Sequence, residues 1–372
     1  MKVFITYASA GSGHHRAAVA IYEYFSCQDP RMSLKLLNVL DYAGPLFRKI
    51  YIQGYNFLVR YLLGLWSLGY KITKVKFFQK AIRTLRFIFN RINTRKFTSL
   101  LMRENPDYII STHFIASEIV SSLKRKEKIK SQLITLITDY GVHPFWINCP
   151  TDIYVVASDY TKEKLKLWGI KEEKIKVWGI PLTSGFLRAY AKESIFNQLG
   201  ISPNRFTILI ATGSFGIGPI ENLIRVLYLC KDIQLLVVCA HNKRLFNRLK
   251  FKNYPGVKIF AFVDNMAELM AVSDLIITKP GGLTIAEVLA MNLVPIFMVA
   301  IPGQETENLN LLRDYGIGVV SKSPAKIKEI VLDYKLRPDK LNKIRENIFK
   351  LKKTDACKSL YYLCQSSIGI AR

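Results

Sequence analysis

The chain has 372 residues, half of them hydrophobic, which is enough for two domains with cores of their own. Its 54 lysine and arginine residues against 28 aspartate and glutamate residues give a formal charge of +26, which favours an anionic partner: a nucleic acid, an anionic membrane surface or a phosphorylated substrate. The six cysteines form no Cys-x-x-Cys pair, and no uncharged apolar run reaches the roughly 18–20 residues that span a bilayer. These features argue against a disulfide framework, a zinc ribbon and a transmembrane anchor.

The predicted elements begin with a strand, a glycine loop and a helix, the usual opening of a doubly wound α/β domain. Lys2–Tyr7 is a short apolar strand rather than a signal peptide, and the loop runs through Gly11 and Gly13. Arg16 stands where a dinucleotide-binding loop has its third glycine, and no Gly-Lys-Ser/Thr follows as in a P-loop. His14 ends the loop, where it can act as a general base near neutral pH or simply hydrogen-bond the turn.

The stretch 42–103 contains 13 lysine and arginine residues and no acidic residue, with aromatic and leucine residues interleaved. Between Val75 and Ile92 apolar residues recur at spacings of three and four, and basic residues fall mostly between them. This pattern predicts a basic amphipathic helix of the kind that lies on an anionic membrane surface. The alternative is a helix whose apolar stripe faces a core, but a solvated face normally mixes both signs of charge. We expect contact with the membrane or with an acceptor.

Polar residues follow two further strands of the first half. The strand 108–113 ends at His113, which either lines a pocket or hydrogen-bonds the strand end. The strand 133–138 is followed by Asp139 and His143. The aspartate can orient an imidazole, or the pair can line an acceptor pocket, but two residues cannot form a metal site. The half is completed by a strand at 153–157, a helix at 158–168, a strand at 174–178 and a Gly-Ile-Pro break at 179–181.

A second α/β half opens near residue 205 with another strand and glycine loop. The loop contains Gly213 and Gly216 ahead of a helix, but its Gly-x-x-Gly-x-Gly order does not fit a dinucleotide-binding fingerprint. It is either a phosphate-facing loop or a plain turn between strand and helix. Further strands are predicted at 235–240 and 258–263.

The stretch 278–308 carries the strongest signal for a ligand. A Pro-Gly-Gly turn follows an apolar strand, and Thr284 can cap a helix that begins near Ile285. A helix N-terminus after such a turn suits a diphosphate, and Glu287 in the first turn can accept hydrogen bonds from ribose hydroxyls. The next strand, 293–301, ends in a loop whose amide and carboxylate side chains suit a sugar; they are Gln304, Glu305 and Asn308. Together the two halves predict a nucleotide-sugar site.

The order of these motifs resembles glycosyltransferase family 28. The matching motifs are Gly-x-Gly-His at the start, Thr-Asp-x-x-x-His and Gly-Ile-Pro in mid-chain, and Lys-Pro-Gly-Gly-x-Thr-x-x-Glu and Pro-Gly-Gln-Glu towards the end. The Thr-Asp-x-x-x-His-x-x-Trp run is similar to the diacylglycerol glucosyltransferases and monogalactosyldiacylglycerol synthases of the family. It matches the N-acetylglucosaminyltransferase of peptidoglycan synthesis poorly.

The resemblance implies the GT-B fold, two doubly wound Rossmann-like domains with an interdomain cleft. It implies an acceptor- and membrane-binding domain at 1–182, a linker at 183–204 and a UDP-sugar-binding domain at 205–345. The segment 346–372 is expected to form a helix that returns to the first domain.

The resemblance also implies roles for individual residues. His14 is expected to take the proton of the acceptor hydroxyl, with Asp139 and His143 as further catalytic residues. The glycine loop of the second half is expected to face the diphosphate, and the uracil to lie near Phe262 and Val263. The expected donor-binding residues are Gly13, Gly213, Ser214, Phe215, Gly216, Phe262, Val263, Met266, Lys279, Gly281, Gly282, Leu283, Thr284, Glu287, Gln304, Glu305 and Asn308.

The function implied is inverting transfer of glucose or galactose from a UDP-sugar to diacylglycerol, at the inner face of the cell membrane. We expect no nucleic-acid partner, and no metal, since the chain has no Asp-x-Asp pair. One alternative is transfer of N-acetylglucosamine to a polyprenyl-linked cell-wall precursor. A dinucleotide-dependent oxidoreductase is disfavoured by the missing glycine. A non-catalytic basic protein that binds membrane or RNA would leave Gln304 and Glu305 unexplained.

Overall fold

The computed structural model describes residues 1–9, 11–148, 150–213, 216, 218–298 and 300–366. Its strands are β1 (Lys2–Tyr7), β2 (Ser33–Asn38), β3 (Tyr108–Ser111), β4 (Gln132–Leu136), β5 (Ile153–Val156), β6 (Ile175–Val177), β7 (Phe206–Ala211), β8 (Ile233–Val238), β9 (Val257–Phe260), β10 (Leu275–Thr278), β11 (Val294–Phe297) and β12 (Val319–Val320). Its helices are α1 (Ser12–Gln28), α2 (Pro45–Tyr61), α3 (Leu63–Lys74), α4 (Lys76–Asn93), α5 (Arg95–Glu104), α6 (Phe114–Arg125), α7 (Asp159–Leu167), α8 (Lys192–Leu199), α9 (Ile220–Leu227), α10 (Lys243–Lys252), α11 (Met266–Ala271), α12 (Gly282–Ala290), α13 (Gln304–Asp314), α14 (Pro324–Leu336), α15 (Pro338–Leu351) and α16 (Ala356–Ser366).

The chain divides into two compact units. Unit 1 comprises Met1–Ser184, Ile301–Glu307 and the C-terminal residues from Lys353 onward, and unit 2 comprises Gly185–Ala300 and Asn308–Lys352. The short piece Ile301–Glu307 therefore groups with unit 1, although β11 before it belongs to unit 2.

Unit 1 is built on a six-stranded parallel sheet in the order β2-β1-β3-β4-β5-β6. Successive residues of β1 face opposite sides, and both sides are covered. Ile5 packs in the cluster that includes residues of α1 and α16, whereas Phe4 packs with residues of α5 and α6. This explains the continuous apolar run of β1, since parallel strands are buried on both faces.

Unit 2 repeats the same architecture with the order β12-β11-β10-β7-β8-β9, again parallel. Its main core is formed by the inner residues of the sheet with apolar residues of α9, α10, α14 and α15. In each unit the second strand along the chain pairs with one side of the first strand, and a later strand pairs with its other side. β1/β3 and β7/β10 are therefore the switch points of the two sheets. Ligands of open α/β sheets bind beyond the carboxyl ends of strands at such points.

Two predicted boundaries in the donor stretch are wrong by about one helical turn. The helix expected near Ile285 begins at Gly282, with Gly281 at the N-cap and no side chain capping it. Thr284 is therefore inside the helix, in a first turn whose Leu283 is buried. The sugar loop is not a loop, since Gln304 begins α13. The Glu305 carboxylate accepts a hydrogen bond from the Ile301 N–H at 2.6 Å, which holds the residues before the helix.

The acid-free stretch 42–103 forms the helices α2 to α5, and α4 confirms the amphipathic helix predicted between Val75 and Ile92. Its apolar side faces outward: Leu85 is 68% exposed, Phe89 56% and Ile92 54%. The alternative of a core-facing stripe is therefore wrong for this helix. Within the described part of the chain, no helix is long and apolar enough to cross a membrane.

Two polar residues of α4, Arg86 and Asn90, pack on the protein. Glu118 of α6 is 4% exposed, and its carboxylate accepts hydrogen bonds from Arg86 at 2.7 Å and from Asn90 at 2.8 Å. The guanidinium of Arg86 also lies 3.8 Å from the ring centroid of Phe145. A buried carboxylate is costly unless it is paired, so this contact determines which face of α4 is turned away from solvent.

We predict that Arg86→Leu lowers the free energy of unfolding by about 3 kcal/mol, because it leaves the Glu118 carboxylate buried without its cation. Arg83→Leu, one turn earlier on an exposed position, should change it by less than about 0.5 kcal/mol. Urea unfolding followed by tryptophan fluorescence measures both variants. Equal losses in the two variants would show that the pair does not hold the helix.

Candidate functional site

His14 lies in the first turn of α1, directly beyond β1. Its Nδ1 is 2.7 Å from the carbonyl oxygen of Thr112, which follows β3, and 2.9 Å from the hydroxyl oxygen of Thr138, which follows β4. A carbonyl can only accept, so Nδ1 carries the proton and the lone pair of the neutral ring is on Nε2. Among the described residues none hydrogen-bonds Nε2. Burial lowers the pKa of His14 to about 4, so the ring is neutral at pH 7 and able to accept a proton.

His113 supports this arrangement from the end of β3. Its ring packs edge-on against the His14 ring with centroids 4.7 Å apart, and its Nδ1 accepts a hydrogen bond from the Ile115 N–H at the start of α6. Burial, then the neighbouring His14 and Arg86, lower the pKa of His113 well below its usual range. His113 thus hydrogen-bonds the backbone at the strand end, one of the two roles expected from the sequence. Its ring also contacts that of His14.

Asp139 and His143 have separate partners. The Nδ1 of His143 accepts from the Phe145 N–H at 3.3 Å, and its Nε2 is 2.9 Å from the Thr73 hydroxyl. That hydroxyl donates to the carbonyl of Tyr70 at 2.8 Å, so Nε2 is the donor to Thr73. Asp139, which could have oriented this imidazole, is not the partner of either ring nitrogen. Its carboxylate accepts a hydrogen bond from the Gln304 amide.

The imidazole of His143 is held neutral. Burial, then Lys74 and Arg86, lower the pKa of His143 to about 3. With a hydrogen bond at each ring nitrogen it links the loop after β4 to α3, and the structure gives it contacts with protein groups at both nitrogens.

The residues expected to bind the sugar are engaged with the protein. Glu305 and Asn308 are buried, and the Asn308 amide donates to the carbonyl of Pro280 at 2.9 Å within unit 2. Gln304 contacts Asp139, and Glu307, which the sequence did not single out, forms an ion pair with Lys74. The segment 301–307 is thus held by side chains of unit 1.

In unit 2 the loops beyond β7 and β10 come together at the switch point of the sheet. Gly213 has a φ of +81°, and a Cβ there would lie 2.6 Å from Cε of Lys279, so the lysine side chain lies over the glycine loop. The hydroxyl of Thr278 donates to the carbonyl of Ala211 at 2.6 Å and ties the two strand ends together. Gly281 and Gly282 then open α12, whose N-terminus has partial positive charge.

Other predicted donor residues of unit 2 lie at neighbouring strand ends. Glu287 is 2% exposed and lies in the second turn of α12, not the first. Phe262 is 55% exposed after β9, and its ring stacks on His241 at 4.8 Å. Val263 follows it and Met266 begins α11. Gly216 has a φ of +54°, and a Cβ there would lie 2.9 Å from the carbonyl oxygen of Cys239, so this turn favours glycine. Ser214 and Phe215 lie outside the described residues.

Unit 1 also contains contacts that the sequence did not indicate. Thr112 and Thr138 hold His14, and Tyr70, Thr73 and Lys74 reach residues far away in the chain. No local pattern joins Lys74 to Glu307. The described residues contain no group of three or more His, Cys, Asp or Glu side chains that could hold a metal ion.

Comparison with known sequences identifies the family. Residues 14–182 match monogalactosyldiacylglycerol (MGDG) synthase, and residues 207–360 match the glycosyltransferase family 28 C-terminal domain. A processive diacylglycerol beta-glucosyltransferase of Bacillus cereus (strain AH187) is 30% identical over 364 residues, 95% of this chain and 91% of the relative. The chain belongs to glycosyltransferase family 28. The resemblance carried by the sequence motifs is thereby confirmed.

Solved structures agree in fold. MurG of Acinetobacter baumannii has a TM-score of 0.63 at 14% identity, covering 98% of this chain and 100% of that one. Anabaena Alr3699/HepE in complex with UDP-glucose has a TM-score of 0.57 at 14% identity, covering 99% of this chain and 100% of that one. These likenesses confirm the predicted two-domain α/β fold of the GT-B class.

We predict that the folded protein loses stability as the pH falls from 7 to 5. The folded pKa values of His14, His113 and His143 lie below 6.5, whereas the unfolded chain protonates them near that value, so the unfolded state gains more protons. Each histidine that stays neutral in the folded state lowers the free energy of unfolding by about 2 kcal/mol between pH 7 and pH 5. The urea midpoint measured at both pH values tests the direction.

His113→Asn serves as the matched variant, because asparagine can still cap α6 but does not titrate. Its stability should fall less steeply with pH than that of the parent chain. Parallel curves for the two proteins between pH 7 and pH 5 would show that His113 is not kept neutral by folding.

Proposed function

We propose that this protein transfers glucose from UDP-glucose to the free hydroxyl of diacylglycerol with inversion at the anomeric carbon. Support comes from its membership of family 28 and from relatives named as diacylglycerol beta-glucosyltransferases. The observation that carries the chemistry is the tautomer of His14, whose Nδ1 proton is held by Thr112 so that Nε2 presents a lone pair.

In this mechanism the acceptor oxygen attacks the anomeric carbon of glucose while the bond from that carbon to UDP breaks. The Nε2 of His14 takes the hydroxyl proton, and the bonding pair leaves with the diphosphate. The low pKa of His14 keeps the imidazole in the base form throughout the neutral range. Asp139 and His143, beyond the end of β4, are proposed to shape the acceptor side, since the His143 ring is occupied by Thr73 and Phe145.

Unit 2 is proposed to bind the donor. The N-terminus of α12 and the backbone of the Gly213 loop suit the diphosphate, and Lys279 lies over that loop with a positive charge where negative charge develops on the leaving group. Glu287 is assigned to the ribose and Phe262 with Val263 to the uracil. Gln304, Glu305 and Asn308 are assigned to the sugar, and His14 with its neighbours in 1–182 to the acceptor.

Helices α2 to α5 are proposed to hold the protein on an anionic membrane surface, where diacylglycerol lies. The outward apolar residues of α4 would enter the interface, and the basic residues beside them would face lipid headgroups. A solvated helix normally buries its apolar residues, whereas α4 exposes Leu85, Phe89 and Ile92 and turns Arg86 and Asn90 inward to pair Glu118.

The proposed reaction is tested by supplying the full chain with diacylglycerol vesicles and either UDP-glucose or UDP-galactose. We expect a glucolipid from the first donor and little product from the second. Its formation should fall about 10²- to 10⁴-fold in His14→Ala, while UDP binding is unchanged, because only the base is removed. His15→Ala, at the exposed neighbouring position, is the matched control and should retain activity.

Two results would overturn the assignment. UDP release only with a polyprenyl-linked acceptor and UDP-N-acetylglucosamine would favour the cell-wall reaction instead. Full activity of His14→Ala would show that His14 is not the base, although the proposed transfer reaction itself would still stand.

For the membrane surface we predict that the double variant Leu85→Ser/Phe89→Ser lowers partition onto vesicles with anionic lipid by tenfold or more. Burial of one such side chain is worth about 1.5–3 kcal/mol, so partial insertion of two suffices for this loss. The matched control is Leu167→Ser/Phe349→Ser, which removes the same residue types from exposed positions elsewhere. Vesicle sedimentation measures both, and equal partition would contradict a membrane-facing α4.

A further inference from the structure

Two faces of the helix α3 have different surroundings. Along one side lie Leu65 and Leu68, 57% and 55% exposed, which belong to the proposed membrane surface. Along the other, Tyr70, Thr73 and Lys74 contact residues that are far away in the chain. A helix that served only as a membrane contact would not need the second set.

Lys74 makes the first of these contacts, an ion pair with Glu307 in α13. Both side chains are partly buried, and burial, then Lys164, lowers the pKa of Lys74. The Glu307 carboxylate therefore offsets the cost of holding the Lys74 charge away from water. The same carboxylate group lies against Gly141, next to Tyr140 in the loop after β4, where a Cβ would collide with it.

Tyr70 makes the second contact. Gly303 has a φ of +96°, and a Cβ on it would come 2.5 Å from the Tyr70 ring, so only glycine allows this close approach. Burial, then the charge of Asp139, raises the pKa of Tyr70, which agrees with a ring enclosed beside the Asp139–Gln304 pair. The turn that leads into Gln304 is thus covered by α3.

Thr73 makes the third contact through His143, whose Nε2 is 2.9 Å from the hydroxyl. The three side chains occupy one edge of α3 over little more than one turn. Tyr70 and Lys74 hold Gly303 and Glu307 on either side of Gln304 and Glu305, and Thr73 holds His143 in the loop after β4. Helix α3 therefore contacts the residues before and after Gln304 and Glu305 at the start of α13.

We propose that Tyr70 and Lys74 are positioning residues for the donor sugar, because they hold the first turn of α13 in the orientation in which Gln304 and Glu305 meet the hexose. This rests on the proposed function, which assigns Gln304 and Glu305 to the sugar. The contacts of Tyr70 and Lys74 with Gly303 and Glu307 lie within unit 1, whereas the uracil and the diphosphate are assigned to residues of unit 2. Their loss should therefore weaken recognition of the sugar and leave recognition of UDP as it was.

The test compares equilibrium binding of UDP-glucose and of UDP to the full chain in solution, without vesicles. For Lys74→Met we expect the ratio of the UDP-glucose Kd to the UDP Kd to rise about tenfold, while the UDP Kd is unchanged. Loss of one hydrogen bond between charged groups is of this size. Glu307→Gln removes the same ion pair with little change of shape and should give the same ratio.

Two further variants are controls for Lys74→Met. Lys74→Arg keeps the charge and should keep the parent ratio. Lys128→Met removes one exposed lysine from the turn after α6 and is the matched control for the change in net charge. If Lys74→Met fails to fold, as judged by circular dichroism, Glu307→Gln carries the measurement alone.

The outcomes separate the positioning proposal from the function on which it rests. Gln304→Ala is measured beside the others, and it should raise the Kd ratio directly. If it does so while both Lys74→Met and Glu307→Gln match the parent chain, the positioning proposal is wrong and the sugar assignment stands. If Gln304→Ala itself leaves the ratio unchanged, the sugar assignment is wrong, and the proposal falls with it.

Discussion

Parallel strand pairing is the constraint on which the rest of this structure depends. Because every strand of a parallel sheet points the same way, all the loops that follow strands meet at one edge, and the switch points open that edge. His14, Thr112 and Thr138 follow β1, β3 and β4 and converge there in unit 1. Gly213 and Lys279 follow β7 and β10 and converge in the same manner in unit 2. The sheets thus assemble each cluster from residues far apart in sequence.

A second constraint comes from one buried charge. Glu118 lies inside unit 1, and the groups that neutralise it, Arg86 and Asn90, belong to the polar side of an amphipathic helix. In the orientation that pairs this carboxylate, Leu85, Phe89 and Ile92 of α4 are exposed. The hydrophobic effect alone would give the opposite orientation, and this exposed apolar side is the observation that supports the proposed membrane contact. The proposed membrane contact and the internal charge pairing both involve this one orientation of α4.

The histidines show how burial divides similar residues among different roles. His14, His113 and His143 are all kept neutral by desolvation. His113 and His143 use their ring nitrogens to hold backbone and hydroxyl groups, whereas the described residues give hydrogen-bond partners only to Nδ1 of His14, which is the reason it is the proposed base. Residue type and low pKa are thus not enough to identify a base, and the hydrogen-bond partner of each nitrogen decides.

The sequence by itself determined the two doubly wound domains, the family, the amphipathic α4 and the positions of His14 and of the glycine turns, because these depend on periodicity and on short motifs. It placed the start of α12 about one turn late and treated the start of α13 as a loop, since burial of Leu283 and the Glu305 hydrogen bond to Ile301 lie outside local preference. Only the tertiary structure decided the tautomer of His14, the inward side of α4 and the contacts of Lys74 with Glu307 and of Tyr70 with Gly303. These pairs lie far apart along the chain, and no spacing rule connects residues that meet only when a sheet and its helices have packed.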